Sequence, residues 1–250
     1  MGTMLRISVR QLASRSKLIL ILLLALLPVG LAALVSVVRE DSTYDHGFIN
    51  GILDGLLIAG ILPIVTMVLA TSSFGNELED RTLSYLVLKP VSRWLIVLPK
   101  LLASILIGGL VLIASGVAAT LLGGGSIGAV LVVLDGNLQA ALAVGVALLA
   151  GVVTYAAIFT WAGLMTSRAI AFALIYVFVW EGLISSFLGG VRYLSVRGYT
   201  LAIMHGLDKK SFEPLEERVI EFPAAVVGAT VTTAVFFWLT VRRLRRMDVP

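Results

Sequence analysis

Two carboxylates stand inside apolar runs, where hydrocarbon makes a bare charge costly: Asp54, between Phe48 and Phe74, and Glu181, between Ala169 and Leu188. Asn50 precedes Asp54 by four residues, which puts both on one face of a helix. Acids so placed line a polar path or carry a proton when they face water, and hold helices together when they face a donor. The sequence leaves both alternatives open at Asn50, Asp54 and Glu181. A denser group of charges is ELEDRTLSYLVLKPVSR, Glu77 to Arg93. Its acids Glu77, Glu79 and Asp80 come first, and Thr82, Leu83, Leu86 and Val87 then recur at the spacing of a short amphipathic helix. Lys89 and Pro90 stop that helix, and Ser92 is placed to cap the next one. Helix, stop and cap in succession predict a structured elbow, which suits a docking surface better than a slack linker.

Other chemistry lacks its residues. The chain has no cysteine and two histidines, His46 and His205, both in polar connections, so thiolate ligation is excluded and a histidine metal pair has no spacing to support it. Neither histidine has a serine in a nucleophile turn beside it, which argues against hydrolase catalysis. Nucleotide hydrolysis needs G-x-x-x-x-G-K-[ST], and Gly123-Gly124-Gly125 has no following lysine. No metal or other cofactor is expected in this chain. Arg242 to Arg246 directly follow an apolar run, where they suit lipid headgroups better than nucleic acid.

The elements that position these residues follow from composition. Of 250 residues 59% are hydrophobic and 14% charged, with a mean hydropathy of +1.02, well outside the range of soluble domains. Apolar runs near the roughly 20 residues that cross a bilayer predict six helical spans, at about 18–38, 48–74, 101–122, 138–164, 169–188 and 223–240. Barrel strands would alternate apolar and polar positions, and these runs do not. The fold class is therefore all-α: one polytopic membrane domain over 1–250. Lys and Arg mark the cytoplasmic flanks. Both termini inside place thirteen of the nineteen there, including Arg6, Arg10, Arg15, Lys17, Arg81, Lys89, Arg93, Lys100, Arg168 and the arginines near the C-terminus. Within residues 1–17, Leu5, Val9 and Leu12 share a helical face while Arg6 and Arg10 occupy others, the pattern of an interfacial helix.

The order Glu77-x-Glu79-x-x-Thr82-x-x-x-Leu86-x-x-x-Pro90-x-Ser92-Arg93, with Lys100 opening the following span, resembles the signature of the type-2 ABC transporter permeases. The likeness extends to the N-terminal helix, six spans, a long fifth connection bearing Tyr193-Leu194-Ser195, and the basic C-terminal end. The chain departs from the family pattern at Arg81, Pro99 and Val196. The resemblance implies that loop 75–100 carries a coupling helix for a nucleotide-binding subunit, with Glu77, Glu79, Arg81, Thr82, Leu83, Leu86, Val87, Pro90, Ser92 and Arg93 as partner-binding residues. It further implies two ABC ATPase subunits holding ATP and magnesium, a second permease chain, surrounding membrane lipids, and a place in the cell inner membrane. Export of a hydrophobic or amphiphilic substrate is the function so implied. The alternatives are a transmission subunit that moves a periplasmic partner and an ion-coupled carrier using Asp54 and Glu181.

Overall fold

In hydrocarbon every backbone N–H and C=O must be satisfied within the chain. The computed structural model, which describes residues 2–38, 50–79, 92–123, 138–166, 168–184 and 189–246, meets that demand with helix: 92% helix and no strand among the described residues. In chain order the helices are α1 (Gly2–Leu12), α2 (Arg15–Val38), α3 (Leu62–Glu79), α4 (Trp94–Gly123), α5 (Leu138–Met165), α6 (Ala169–Ile175), α7 (Val196–Leu207) and α8 (Phe222–Arg245). A π-helical segment, Ile52–Ile61, runs directly into α3, and a second, Tyr176–Ile184, continues α6. Short 3₁₀ helices at Gly189–Leu194 and Glu213–Arg218 flank α7.

Five described helices are long and apolar enough to cross a membrane: Arg15–Val37, Ile52–Gly75, Trp94–Leu122, Leu138–Met165 and Phe222–Arg245. The expected fifth run forms the shorter apolar helix Ala169–Gly182, and 185–188 lie outside the described residues. The third span starts at Trp94, not near Leu101, because its helix passes unbroken through Pro99 and Lys100. The helix after Asp54 continues beyond the expected end of that span at Phe74, as far as Glu79. Thr66, Thr71, Ser72 and Ser73 are buried on it, and each hydroxyl donates to a carbonyl three or four residues earlier, at 2.6–3.0 Å, which satisfies the hydroxyls without water.

Helix α5 is the centre of the bundle, packed by α3, α4, α7 and α8. Its small residues let the neighbours approach, as is usual where lipid offers no hydrophobic drive between helices. A Cβ at Gly163 would lie 2.6 Å from the Thr71 carbonyl oxygen, so α3 and α5 meet there backbone to backbone. Tyr155 stacks on Phe159 at 5.5 Å, and Phe159 meets Tyr176 edge-on at 6.2 Å, which joins the second π-helical segment to the core. Helices α2 and α8 are peripheral and leave most of their apolar surface exposed. The Ser115 hydroxyl on α4 donates to the Ala25 carbonyl of α2 at 2.5 Å. Helix α1 does form where its periodicity predicts, with Leu12 buried and Leu5 and Val9 packed on the same core, while Arg6 and Arg10 are exposed.

Candidate functional site

The polar residues singled out in the sequence that the structure describes gather toward the two ends of the helix that runs from Asn50 to Glu79, a length of roughly 40 Å. At the Glu79 end, Lys100 enters α4 one turn and a half after Trp94. Its ammonium is nearly sealed from solvent and has three neighbours on α3: Glu77 Oε1 at 2.5 Å, the Ser73 carbonyl, to which it also donates, and the face of Phe74 at 4.5 Å from the ring centre. A buried ammonium needs this kind of enclosure, since desolvation is offset only by good geometry and further hydrogen bonds. The consequence is a tie across the loop: the last turns of α3 and the first turns of α4 are joined at the base of 80–91. Around it Phe74, Ile96, Val97, Leu164, Val241 and Leu244 form an apolar cluster, so the end of α8 lies at the same end of the bundle.

Of the expected docking residues, Ser92 and Arg93 lie just before α4, where Leu95 N donates to the Ser92 carbonyl at 2.9 Å and Ile96 N to that of Arg93 at 3.1 Å. Glu79 ends α3. Arg81, Thr82, Leu83, Leu86, Val87 and Pro90 lie outside the described residues. Glu77, which the resemblance groups with them, directs Oε1 to Lys100.

At the other end the two intramembrane acids come together through a residue the sequence did not single out. Arg197 directs its guanidinium to Asp54, with Nη2 at 2.7 Å and Nε at 2.9 Å from Oδ1, while its backbone N–H donates to Glu181 Oε2 at 3.4 Å. Glu181 is only 2% exposed. It accepts further from the Val196 N–H at 2.9 Å, the Ser195 hydroxyl at 2.5 Å and the Tyr176 hydroxyl at 3.2 Å. This is an anion seated on the first amides of α7, where the helix dipole and the unsatisfied N–H groups both favour it. Ser195 completes the cap by accepting from Gly198 N–H at 3.0 Å. Both acids sit on π-helical segments, Asp54 on Ile52–Ile61 and Glu181 on Tyr176–Ile184. Such widened turns are uncommon and recur at functional positions. Asn50 is buried beside this end of the helix, and neither atom of its amide has a hydrogen-bond partner among the described residues.

Helix α7 fixes this outer cluster to the core. Tyr199 fits against Gly228 of α8, Thr200 against Gly151 of α5, and the Tyr199 hydroxyl donates to the Tyr193 carbonyl at 2.5 Å. Sequence inspection left 189–222 as a polar connection, since its twelve-residue helix is too short and too mixed to register as a span. The adjacency of Ser195 and Arg197 to the likeness at Tyr193-Leu194-Ser195 was the one signal present.

Comparison with known proteins adds a family. A profile described as ABC-2 family transporter protein matches residues 13–180, which covers four of the five long helices as well as α6. No curated protein matches the chain.

Proposed function

The chain belongs to the ABC-2 transporter family, and on that premise we propose that it is the membrane subunit of an ATP-driven exporter. It is a multi-pass membrane component that works with an ABC ATPase subunit. In this proposal two permease chains and two ATPase subunits form the unit, in a cell inner membrane, with six spans, both termini cytoplasmic and α1 in the headgroup region. ATP and magnesium are held by the ATPase. The cargo in this proposal is hydrophobic or amphiphilic.

The observation that carries the proposal is the buried Lys100–Glu77 tie. In this proposal a push by the ATPase on loop 75–100 has to move two spans at once, and a loop whose two stems are joined by an ion pair, a hydrogen bond to a main-chain carbonyl and an aromatic face transmits displacement to both. Asn50, Asp54 and Glu181 stand in this proposal as the polar collar at the far end of the path. There Arg197 holds the π-helical segment before α3 to α7, so movement of α3 reaches the outer helix directly.

The test is co-elution of the permease with its nucleotide-binding subunit, together with transport-coupled ATP hydrolysis in nanodiscs. Leu86→Asp places an unpaired carboxylate in the docking contact, and Glu79→Lys reverses a register charge. Glu77 is unsuitable for this purpose because its change would break the internal tie. Loss of co-elution or of coupling in Leu86→Asp, with normal membrane insertion, supports the coupling role. Wild-type behaviour of both variants removes it. Coupled hydrolysis with no cargo moved, restored function depending on a periplasmic protein, would favour a transmission subunit instead.

A further inference from the structure

On the flank of the bundle α4, α5 and α8 leave a groove of about 570 Å³. Leu98, Leu101, Leu149, Val153 and Phe237 supply its bulk, and the small side chain of Ala234 keeps it open. Three threonines also line it, yet each hydroxyl is already used within its own helix: Thr154 on the Ala150 carbonyl at 2.9 Å, Thr230 on Val226 at 2.8 Å and Thr233 on Ala229 at 2.8 Å. The surface offered is therefore apolar in effect. Along α8 the lining runs from Ala229 to Phe237, about 12 Å at the rise of an α-helix, against a hydrocarbon depth of about 15 Å for one leaflet.

The same helix then becomes basic. Trp238, Val241, Arg242, Arg245 and Arg246 border a second cavity of about 420 Å³ next along α8, and Arg242 lies over the Trp238 ring at 4.9 Å. Arg242, Arg245 and Arg246 are exposed, and no carboxylate pairs with them among the described residues. An apolar channel of one leaflet's depth that opens on three cations has the chemistry of an anionic phospholipid, chain in the groove and phosphate on the guanidinium groups. A second copy of the chain suits it poorly, because a two-fold contact through this face would set each arginine cluster near its own image.

We propose that this flank binds one anionic phospholipid from the leaflet on the Glu77 side of the bundle. The site depends on the membrane location of the chain and not on its coupling to an ATPase. The experiment is native mass spectrometry of the purified full-length protein after exchange into palmitoyl-oleoyl phosphatidylglycerol, and separately into phosphatidylcholine with the same chains. Wild type should retain phosphatidylglycerol in preference. With about fivefold contributed by each arginine near an anionic headgroup, R242Q/R245Q/R246Q should lose roughly 100-fold of that retention, while the triple lysine variant keeps most of it. Ala234→Phe, which fills the groove, should lower retention of both lipids. Equal retention of the two headgroups by wild type overturns the site, as does an unchanged preference in the triple glutamine variant. If Ala234→Phe alters the oligomeric state and leaves lipid retention intact, the groove belongs to a second copy. Should the triple glutamine variant fail to insert, the wild-type comparison and Ala234→Phe decide the matter between them.

Discussion

Lys100→Met keeps much of the length of the side chain and deletes its charge. In the folded protein Lys100 is 5% exposed, and its ammonium serves both Glu77 Oε1 at 2.5 Å and the Ser73 carbonyl. Removing it takes the ammonium away from a carboxylate whose side chain is 15% exposed. Breaking a buried pair from one side costs about 3–5 kcal/mol; the partial wetting of Glu77 places the expected loss at the low end, about 3 kcal/mol. The neutral pair Lys100→Met with Glu77→Gln removes both charges of the pair and should return to within about 1 kcal/mol of wild type, since a buried ion pair and its uncharged replacement are nearly equivalent in stability. A double-mutant cycle should then give a coupling of at least about 2 kcal/mol. The assay is reversible unfolding in mixed micelles titrated with a denaturing detergent and followed by tryptophan fluorescence, with coupled ATP hydrolysis as a second readout. The double variant should recover stability without recovering coupling. A cycle energy below about 0.5 kcal/mol would refute the tie.

Gly163→Ala should lower the apparent melting temperature by an amount corresponding to about 1–3 kcal/mol, because the new methyl meets the Thr71 backbone at 2.6 Å and backbone cannot step aside; Gly145→Ala, whose neighbours are side chains at 3.5 and 3.6 Å, should be close to neutral. Glu181→Gln should cost about 1 kcal/mol through the lost charge at the α7 N-terminus, with faster amide exchange confined to 189–207 and the rest of the bundle unaffected. Arg197→Met should destabilise by leaving Asp54 unpaired, and Asp54→Asn should suppress that defect; proton dependence of transport that vanishes in Asp54→Asn alone would instead revive an ion-coupled carrier. Cysteines at Gly124 and Ser211 should react with an impermeant thiol reagent in intact cells and one at Ser84 should not, with labelling at Ser84 reversing the proposed orientation.

Much of the bundle was legible because hydrocarbon imposes it: long apolar runs produce α2, α4, α5 and α8, and the Leu5, Val9 and Leu12 stripe produces α1. What hydropathy misplaced, it misplaced for one reason. A lysine looks like the edge of a span when its partners are unknown, so hydropathy alone begins the third span after Lys100, whereas the expected end of the second at Phe74 lies within one residue of Gly75. Glu77, in sequence 23 residues from Lys100, makes that lysine compatible with a helix interior. The outer site illustrates the same limit more strongly. Asp54 and Glu181 are visible as costly acids, but the pairing of Asp54 with a side chain 143 residues away is a property of packing and has no local pattern. Nor does a π-helical turn announce itself in hydropathy, since widening the turn changes the phase of the residues and not their polarity.

The contact at Gly163 has a mechanical meaning. Side chains that interdigitate can yield by changing rotamer, whereas a glycine Cα seated on a neighbour's carbonyl has no compliance in compression. Thr71 lies two residues before Ser73, whose carbonyl holds Lys100, so load delivered through the loop stems is borne by α5 as well as by α3 and α4. Those three helices behave as one stiff block. Strain then has to be taken up at the block's margins, where the polar crossings among the described residues are hydroxyl bonds, from Ser115 to Ala25 at 2.5 Å toward α2 and from Thr233 to Thr154 at 3.4 Å toward α8. Each such bond resists with about 1 kcal/mol, little against the roughly 3 kcal/mol or more that holds the loop stems together. In the proposed coupling, the peripheral helices are the bearings on which the block turns.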